Sequence, residues 1–288
     1  MIVVTGATGK LGRLVTRALL EKVPPAELAV AVRNPSKAAD LAARSVQVRH
    51  IDYDRPETLS TAFNAGEKVL LISANEIGKR AAQHRRVIDA ASQAGIGLLA
   101  YTSLLRADRS TLALAAEHKA TEEAIQASGL PYVFLRNGWY LENHTDQLDG
   151  ILQRGAIAGA AGRGRFASAA RQDYAEAAVA VLTSNDRGKT IYELAGAPFT
   201  LDDFAAEVSR QSGKTIVYSN LTAERYREML QGAGLPAAYA DVLVDADLAA
   251  SRGELDSDSQ DLRLLIGRPA TTMRGAIASA LREASPVR

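Results

Sequence analysis

Three glycines spaced three residues apart constrain this chain more than any other feature of its sequence. Gly6, Gly9 and Gly12 come directly after a short apolar run over residues 2–4. The run predicts a buried strand, and apolar side chains placed four apart over residues 10–23 predict an amphipathic helix. A glycine turn between a strand and a helix is typical of the opening of a βαβ unit.

The same alternation of strand and helix continues through the first half of the chain. Further strands are predicted over residues 28–32, 46–51, 68–72, 98–102 and 132–135. Helices are predicted between them over residues 56–64, 83–94 and 114–128. Regular alternation over this length predicts an α/β fold with a doubly wound parallel sheet of the Rossmann type.

Each glycine of the motif has a separate physical task. Gly6 permits the tight turn, Gly9 lets the backbone approach a pyrophosphate, and Gly12 allows the helix to pack closely on the strand. Free N–H groups at the start of the helix favour the negative charge of a phosphate. The sequence therefore predicts a dinucleotide site, and the alternative is a tight turn that binds nothing.

The end of the second predicted strand indicates which dinucleotide is bound. NAD-binding proteins place an acid there for the ribose 2′-hydroxyl, whereas this chain has Arg33, followed by Lys37. A planar guanidinium suits a 2′-phosphate, so we expect NADPH rather than NADH. The alternative is an arginine that only faces solvent. Asp52, after the third strand, is either an acceptor for the adenine amino group or an acid that caps a turn.

The alternation weakens after Asn137. A glycine-rich stretch covers residues 155–165, and helical patterns return over residues 173–182, 201–211 and 223–230. We expect a dinucleotide-binding domain over residues 1–140, with late strands contributed from about residues 150–200. Residues 141–288 are expected to form mainly a smaller substrate-binding lobe.

Composition and charge disfavour several classes of partner. The 34 Lys and Arg against 33 Asp and Glu give a net charge of +1, which gathers neither nucleic acid nor anionic lipid. No apolar run reaches the roughly 20 residues of a membrane-spanning helix, and the first ten residues do not form a signal peptide. The absence of cysteine and the scattered positions of the four histidines disfavour metal sites. The absence of cysteine also fits a protein of the reducing cytoplasm.

Several further motifs occur in a fixed order along nearly the whole chain. They are TGATGKLG, VRNPSKA, LLISANE, AYTSLL, LPYVFLRNGWYLEN, YELAG and LIGRP. Together they resemble the NmrA-like family of atypical short-chain dehydrogenase/reductases, and within it the bacterial NAD(P)H:quinone reductases, with triphenylmethane reductases as relatives. The resemblance implies a two-domain reductase that uses NADPH, without flavin or metal, and passes a hydride to quinones.

The resemblance also implies roles for numbered residues. Those implied to hold the pyrophosphate are Gly6, Ala7, Thr8, Gly9, Lys10 and Leu11, and Arg33 is implied to hold the 2′-phosphate. Those implied to line the nicotinamide side are Ser73, Ala74, Asn75, Asn137, Gly138, Trp139 and Tyr140, with Arg171 near the same cleft.

The usual proton donor of short-chain dehydrogenases is missing from the matching positions. Where that family has Tyr-x-x-x-Lys, this chain aligns Leu114 and His118. His118 and Glu122 are four residues apart on one predicted helix. They form either a replacement couple or, as we favour, a polar pair that faces solvent.

A quinone does not require an acid in the hydride step, because the product is a delocalised phenolate that water protonates later. Positioning then matters more than proton donation. We predict that Asn137 and Tyr140 are the catalytic residues and donate hydrogen bonds to the developing oxyanion. The alternative is a turn residue and a packing aromatic. Ser103 either contacts substrate or ends its strand, and Tyr174 and His144 are further cleft candidates.

Three functions remain open at this point. The first is reduction of quinones or similar planar, electron-poor compounds by NADPH. The second is a redox sensor that binds NADPH without turnover and reports to a partner protein. The third is reduction of dyes or other xenobiotics, and residues 201–268, which would shape the pocket, carry little signal. Whether two copies pair as a homodimer is also left open.

Overall fold

Seven parallel strands form the main sheet of the computed structural model, which describes residues 1–185 and 191–284. The strands of the described part are, in chain order, β1 (Ile2–Thr5), β2 (Leu28–Val32), β3 (Gln47–His50), β4 (Lys68–Leu71), β5 (Leu98–Leu104), β6 (Tyr132–Asn137), β7 (Ala156–Gly159), β8 (Arg165–Phe166), β9 (Ile191–Leu194), β10 (Phe199–Thr200) and β11 (Val217–Asn220). The order in the main sheet is β3-β2-β1-β4-β5-β6-β9. The predicted doubly wound α/β fold is therefore confirmed.

Helices cover both faces of this sheet. The helices of the described part are α1 (Lys10–Leu19), α2 (Ala39–Ala42), α3 (Arg80–Ala94), α4 (Ala113–Ala127), α5 (Glu142–Thr145), α6 (Leu148–Arg154), α7 (Arg171–Thr183), α8 (Leu201–Ser212), α9 (Ala223–Gly232), α10 (Ala237–Ser251), α11 (Asp261–Ile266) and α12 (Met273–Ala284). Helices α1 and α7 pack on one face, and α3 and α4 on the other. Within the described ranges no helix is long and apolar enough to cross a bilayer.

The central strands β1 and β2 are apolar except at Thr5, because both of their faces are covered. Val4 packs with Val15 of α1, whereas its neighbour Val3 packs with Val87 of α3 on the opposite face. All of these side chains are fully buried, and each burial stabilises the fold by about 1.5–3 kcal/mol. Because the strands of the main sheet are parallel, their carboxyl ends lie along one edge, and the glycine motif lies at that edge.

The second half of the chain adds smaller sheets and a separate core. Strand β7 pairs in parallel with β11, and β8 pairs with β10 in antiparallel fashion. Helices α8, α10 and α12 pack around Phe166, Phe204 and Leu201. Strand β9, which follows α7 in the chain, lies at the edge of the main sheet beside β6.

Two boundaries predicted from the sequence are wrong. Residues 56–64 do not form a helix, and only a 3-10 turn over Pro56–Thr58 is present. The Thr58 hydroxyl accepts from the Asp52 N–H and donates to the Arg55 carbonyl. These backbone groups are therefore bonded to a side chain and not to the backbone of a helix. The first helix ends at Leu19, four residues before its predicted end.

Candidate cofactor and substrate site

The glycine loop leaves no room for side chains at its closest approach. Gly6 has φ +60°, a conformation that other residues rarely adopt. A Cβ atom on Gly12 would lie 2.3 Å from the Gly6 carbonyl oxygen and 2.7 Å from the Ala7 Cα atom. Gly9 precedes α1 and supplies no capping side chain. The first N–H groups of α1 are therefore left for an anion, which is the arrangement that a pyrophosphate requires.

Basic side chains follow the end of β2. The Arg33 guanidinium is 71% exposed and contacts the Glu76 carboxylate at 3.3 Å. Arg13 of α1 donates to the Lys37 carbonyl at 2.8 Å and to Asp40 at 3.2 Å. Arg13 was not singled out from the sequence, although its place directly after Gly12 is a usable signal. These contacts tie α1 to the segment that carries the predicted 2′-phosphate residues.

The segment after β4 is held by side chains from two neighbouring elements. The Ser73 N–H donates to the Thr102 hydroxyl of β5 at 2.9 Å. The Ala74 N–H donates to Nε2 of His84 at 3.0 Å, and the Ala74 carbonyl accepts from Nε of Arg80 at 2.7 Å. Ser73 and Ala74 are half-buried, whereas Asn75 is exposed. The backbone of this predicted cofactor segment is thus fixed in place.

The segment after β6 passes through a narrow space. A Cβ atom on Gly138 would lie 3.0 Å from both the Ala167 carbonyl oxygen and the Tyr174 hydroxyl. The Gly138 N–H donates to the Leu194 carbonyl of β9, and Trp139 packs against the core of the second lobe. A side chain at position 138 would therefore crowd the Ala167 carbonyl and the Tyr174 hydroxyl.

Asn137 and Tyr140 lie side by side at the carboxyl end of β6. Nδ2 of Asn137 is 3.4 Å from the Tyr140 hydroxyl, as donor to acceptor. Oδ1 of Asn137 is buried and has no partner among the described residues. Burial raises the pKa of Tyr140 above its usual range, so the hydroxyl keeps its proton at neutral pH. An unpaired buried acceptor beside a protonated hydroxyl is an arrangement suited to a polar ligand.

Arg171 is brought next to Tyr140 from the start of α7. Its Cζ atom is 5.3 Å from the Tyr140 ring centroid, within the range of a cation–π contact. Its backbone N–H donates to the Glu142 carboxylate, and its side chain reaches the Asn143 amide oxygen at 3.3 Å. The Asp146 carboxylate lies 3.7 Å from its Nη1 atom. The structure thus groups Asn137, Tyr140 and Arg171 at one place.

The interpretation of His118 and Glu122 as a solvent-facing pair is wrong. Both side chains are buried, because β5 and β6 cover this face of α4. Nδ1 of His118 is 2.8 Å from the Tyr101 hydroxyl, and burial holds its pKa well below the usual range. Glu122 accepts from Arg136 at 2.6 Å and from Ser103 at 2.5 Å. The two residues do not form a replacement couple either, since each has a different partner.

The remaining candidates have structural partners. Asp52 accepts from the Asp54 N–H in a turn, which agrees with the turn-capping alternative. The Tyr174 hydroxyl is buried and accepts from the Ala169 N–H. The His144 ring packs against Phe166, Phe199 and Phe204. Leu114, at the aligned tyrosine position, packs at the edge of the second-lobe core. The Tyr174 ring lies against the Tyr140 ring, with the centroids 5.3 Å apart, so Tyr174 borders the cluster, whereas the His144 ring lies among phenylalanines of the second lobe.

An open cavity of about 820 Å³ lies beside the segments that follow β5 and β9. Its walls include residues 195–198 and 256–260, together with Arg106, Arg263 and Thr272. None of the predicted site residues lines it. This cavity is therefore distinct from the cluster formed by the glycine loop and the ends of β4 and β6.

The family to which these elements belong follows from a comparison with known proteins. A family model described as NAD(P)H-binding matches residues 6–185, which include the glycine loop, Arg33 and Arg171. The chain belongs to this NAD(P)H-binding family. The membership predicted from the sequence motifs is confirmed.

Relatives of this NAD(P)H-binding chain match it over both halves. Quinone oxidoreductase 2 of Escherichia coli (strain K12) is 47% identical over 279 residues, which are 96% of this chain and 98% of the relative. The NADPH-dependent quinone oxidoreductase of Escherichia coli, solved with NADPH, has a TM-score of 0.95 at 46% identity and covers 98% of this chain and 100% of its own. Triphenylmethane reductase of Citrobacter sp., solved with NADP(H), has a TM-score of 0.94 at 38% identity and covers 97% and 100%.

Proposed function

We propose that the protein is an NADPH-dependent reductase that transfers a hydride to quinones and similar planar, electron-poor acceptors. The observation that carries this proposal is the 47% identity to Escherichia coli quinone oxidoreductase 2 over 96% of the chain. The likeness includes the second lobe, which shapes the acceptor side of the site. The overall reaction is NADPH plus quinone plus one proton, giving NADP⁺ and hydroquinone.

The residues at the carboxyl edge of the sheet fit this cofactor. The glycine loop would hold the pyrophosphate at the start of α1, where only glycines fit. Arg33 and Lys37 would hold the 2′-phosphate, and Arg13 fixes the backbone that carries Lys37. Residues 73–75 and Arg171 would line the nicotinamide side. When bound, the nicotinamide ring supplies the hydride.

Asn137 and Tyr140 act on the acceptor in this proposal. The Asn137 amide and the Tyr140 hydroxyl would donate hydrogen bonds to the quinone oxygen that becomes negative as the hydride arrives. Tyr140 can donate at neutral pH because its raised pKa keeps it protonated. The hydroquinone anion then takes the one proton of the overall reaction from water. At the positions of the usual proton donor this chain has Leu114 and the buried His118, so neither position supplies that proton.

Two further proposals concern where and with what the protein works. A sequence of 288 residues without cysteine supports a cytoplasmic location, where thiols stay reduced and disulfides are rare. The acceptor is the proposed small-molecule partner, and a second copy of the chain is the proposed protein partner. Sedimentation of the purified protein measures whether that homodimer forms.

The test is an anaerobic assay of purified, flavin-free protein with NADPH and 1,4-benzoquinone. We expect one hydroquinone to form for each NADPH consumed, at a rate well above that of the protein-free control. Binding of NADPH, measured separately by its fluorescence, without any consumption would contradict the reductase and favour a sensor. Consumption with a triphenylmethane dye but with no quinone would move the acceptor to the dye class.

A further inference from the structure

The three N–H groups that follow β4 donate to side chains rather than to the backbone of a neighbouring strand. The Ile72 N–H donates to the Thr5 hydroxyl at 3.2 Å. The next two N–H groups donate to Thr102 and to His84. Three consecutive backbone N–H groups are therefore bonded to three side chains. Two of the acceptors are threonine hydroxyls, and the third is the imidazole of His84.

The hydrogen bonds around His84 run in a single direction. Nε2 accepts from the Ala74 N–H, so it carries no proton, and the ring proton must be on Nδ1. Nδ1 lies 3.0 Å from the Thr121 hydroxyl, which in turn donates to the Glu117 carbonyl at 2.8 Å. The Thr121 bond therefore selects the tautomer that Ala74 requires. From donor to acceptor, the chain of bonds runs from the Ala74 N–H of the cofactor segment through His84 to Thr121 and Glu117 on α4.

The environment of His84 holds this arrangement in place. The side chain is fully buried and meets the Tyr101 ring edge-on, with the ring centroids 5.4 Å apart. Burial and the nearby Arg80 cation lower the pKa of His84 to about 3, so the ring stays neutral across the working range of pH. Arg80 also donates to the Ala74 carbonyl, so two side chains of α3 fix both the N–H and the carbonyl of Ala74.

We propose that His84 is a positioning residue for NADPH: through Nε2 it holds the Ala74 N–H, and thereby the segment 73–75, at the position from which that segment contacts the nicotinamide. This inference rests on the proposed function. His84 does not touch the cofactor or the acceptor itself. Its loss acts on the binding of NADPH, because an unpaired buried N–H drives the segment to a new position.

Two substitutions at this position separate the two bonds of the ring. In His84→Gln the amide oxygen reaches the place of Nε2, so it still accepts from Ala74. In His84→Asn the shorter amide ends near the place of Nδ1, so the Thr121 contact is kept and the Ala74 N–H is left alone. We expect the Kd for NADPH to stay within about twofold of wild type in H84Q and to rise about tenfold in H84N, which corresponds to about 1.4 kcal/mol.

Binding is followed by NADPH fluorescence, and turnover with 1,4-benzoquinone is measured on the same samples. H84N is expected to raise KM for NADPH in step with Kd, while kcat at saturating NADPH stays within about twofold. His118→Asn is the matched control: His118 is also buried and bonded, but to Tyr101 rather than to the cofactor segment. H118N is expected to lower Tm and to leave the Kd for NADPH unchanged.

A third variant keeps the inference open to test if H84N does not fold. Thr121→Val has the same shape and removes the hydroxyl that accepts from Nδ1 and donates to the Glu117 carbonyl, so it is expected to raise the Kd for NADPH about threefold. Equal NADPH affinity in H84N and H84Q, or an unchanged affinity in T121V, would overturn the inference. If the wild-type protein binds no NADPH, the proposed function is overturned as well. Binding to the wild-type protein is therefore measured before any variant is compared.

Discussion

The Lys10 ammonium lies 2.9 Å from the Asp146 carboxylate, so one ion pair joins the glycine loop to the turn that follows α5. Arg171 approaches the same carboxylate oxygen at 3.7 Å. One acid therefore engages two cations, one from each side of the proposed cofactor site. A ligand that carries phosphate competes with Asp146 for both of them.

Removing the charge of Asp146 is expected to strengthen NADPH binding. In Asp146→Asn both cations lose this anionic partner, and Lys10 becomes free for the pyrophosphate. Exposed ion pairs contribute about 0.2–1 kcal/mol, so we expect the Kd for NADPH to fall about twofold to fivefold. The gain should shrink in high salt, where exposed charges are screened. Titration at two salt concentrations measures this, with the exposed Asp149→Asn as control, and weaker binding in D146N would contradict the competition.

Arg33 is expected to determine the preference for NADPH over NADH. Arg33→Ala removes the guanidinium proposed to meet the 2′-phosphate, and hydrogen bonds to charged groups contribute about 1.5–3 kcal/mol. We expect kcat/KM with NADPH to fall by at least about tenfold, while kcat/KM with NADH stays nearly unchanged. Arg85→Ala, which removes another exposed arginine, on α3, is the control. An equal loss of kcat/KM with NADPH and with NADH would show that Arg33 does not bind the 2′-phosphate.

Tyr140 is expected to act on the acceptor step and not on cofactor affinity. Tyr140→Phe removes a hydroxyl that lies 3.4 Å from Asn137 and keeps the ring under Arg171. We expect kcat with 1,4-benzoquinone to fall about tenfold, less than for a localised oxyanion because the hydroquinone anion spreads its charge. The Kd for NADPH should not change. Tyr239→Phe, at an exposed position of α10, is the control, and a full rate in Y140F removes Tyr140 from the proposed chemistry.

The centre of the main sheet was predictable from the sequence because β1 and β2 are short apolar runs that are separated by a helix. Val3 and Val4 are both fully buried, so each strand is a short apolar run that local inspection finds. The 3-10 turn at Pro56–Thr58 was not predictable, since the Thr58 side-chain bonds that replace a helix depend on where Asp52 lies.

The surroundings of polar residues were much harder to predict. The spacing of His118 and Glu122 shows that they share a face of α4, but not that β5 and β6 cover that face. His84 gave no local signal either, because its partner Ala74 is brought to it by the end of β4. The roles of the glycine loop, Arg33, Asn137 and Tyr140 toward ligands stay predictions.

Asp247 is expected to make the stability of the second lobe depend on pH. Its carboxylate is buried and accepts from the Ala160 N–H, and burial raises its pKa to about 7. An unfolded aspartate has a pKa near 4, so between about pH 4 and pH 7 the folded chain holds one more proton than the unfolded chain. The stability from this group is therefore full below pH 4, falls through this window and is lost above pH 7.

The variant Asp247→Asn isolates that contribution, because its amide does not titrate. From pH 4 to pH 8 the free energy of unfolding of wild type should fall relative to D247N, by up to about 4 kcal/mol. Urea unfolding at several pH values measures the difference, and the exposed Asp258→Asn serves as control. A difference that is constant across this range would contradict a raised pKa for Asp247.

The most direct test of the proposed function is the ratio of kcat/KM for NADPH to kcat/KM for NADH, measured on the wild-type protein with 1,4-benzoquinone. We predict turnover with both cofactors and a ratio of at least about tenfold in favour of NADPH, since one charged hydrogen bond to the 2′-phosphate is enough to produce it. No turnover above the protein-free rate, or a ratio that favours NADH, would contradict the account of this chain as an NADPH-dependent quinone reductase.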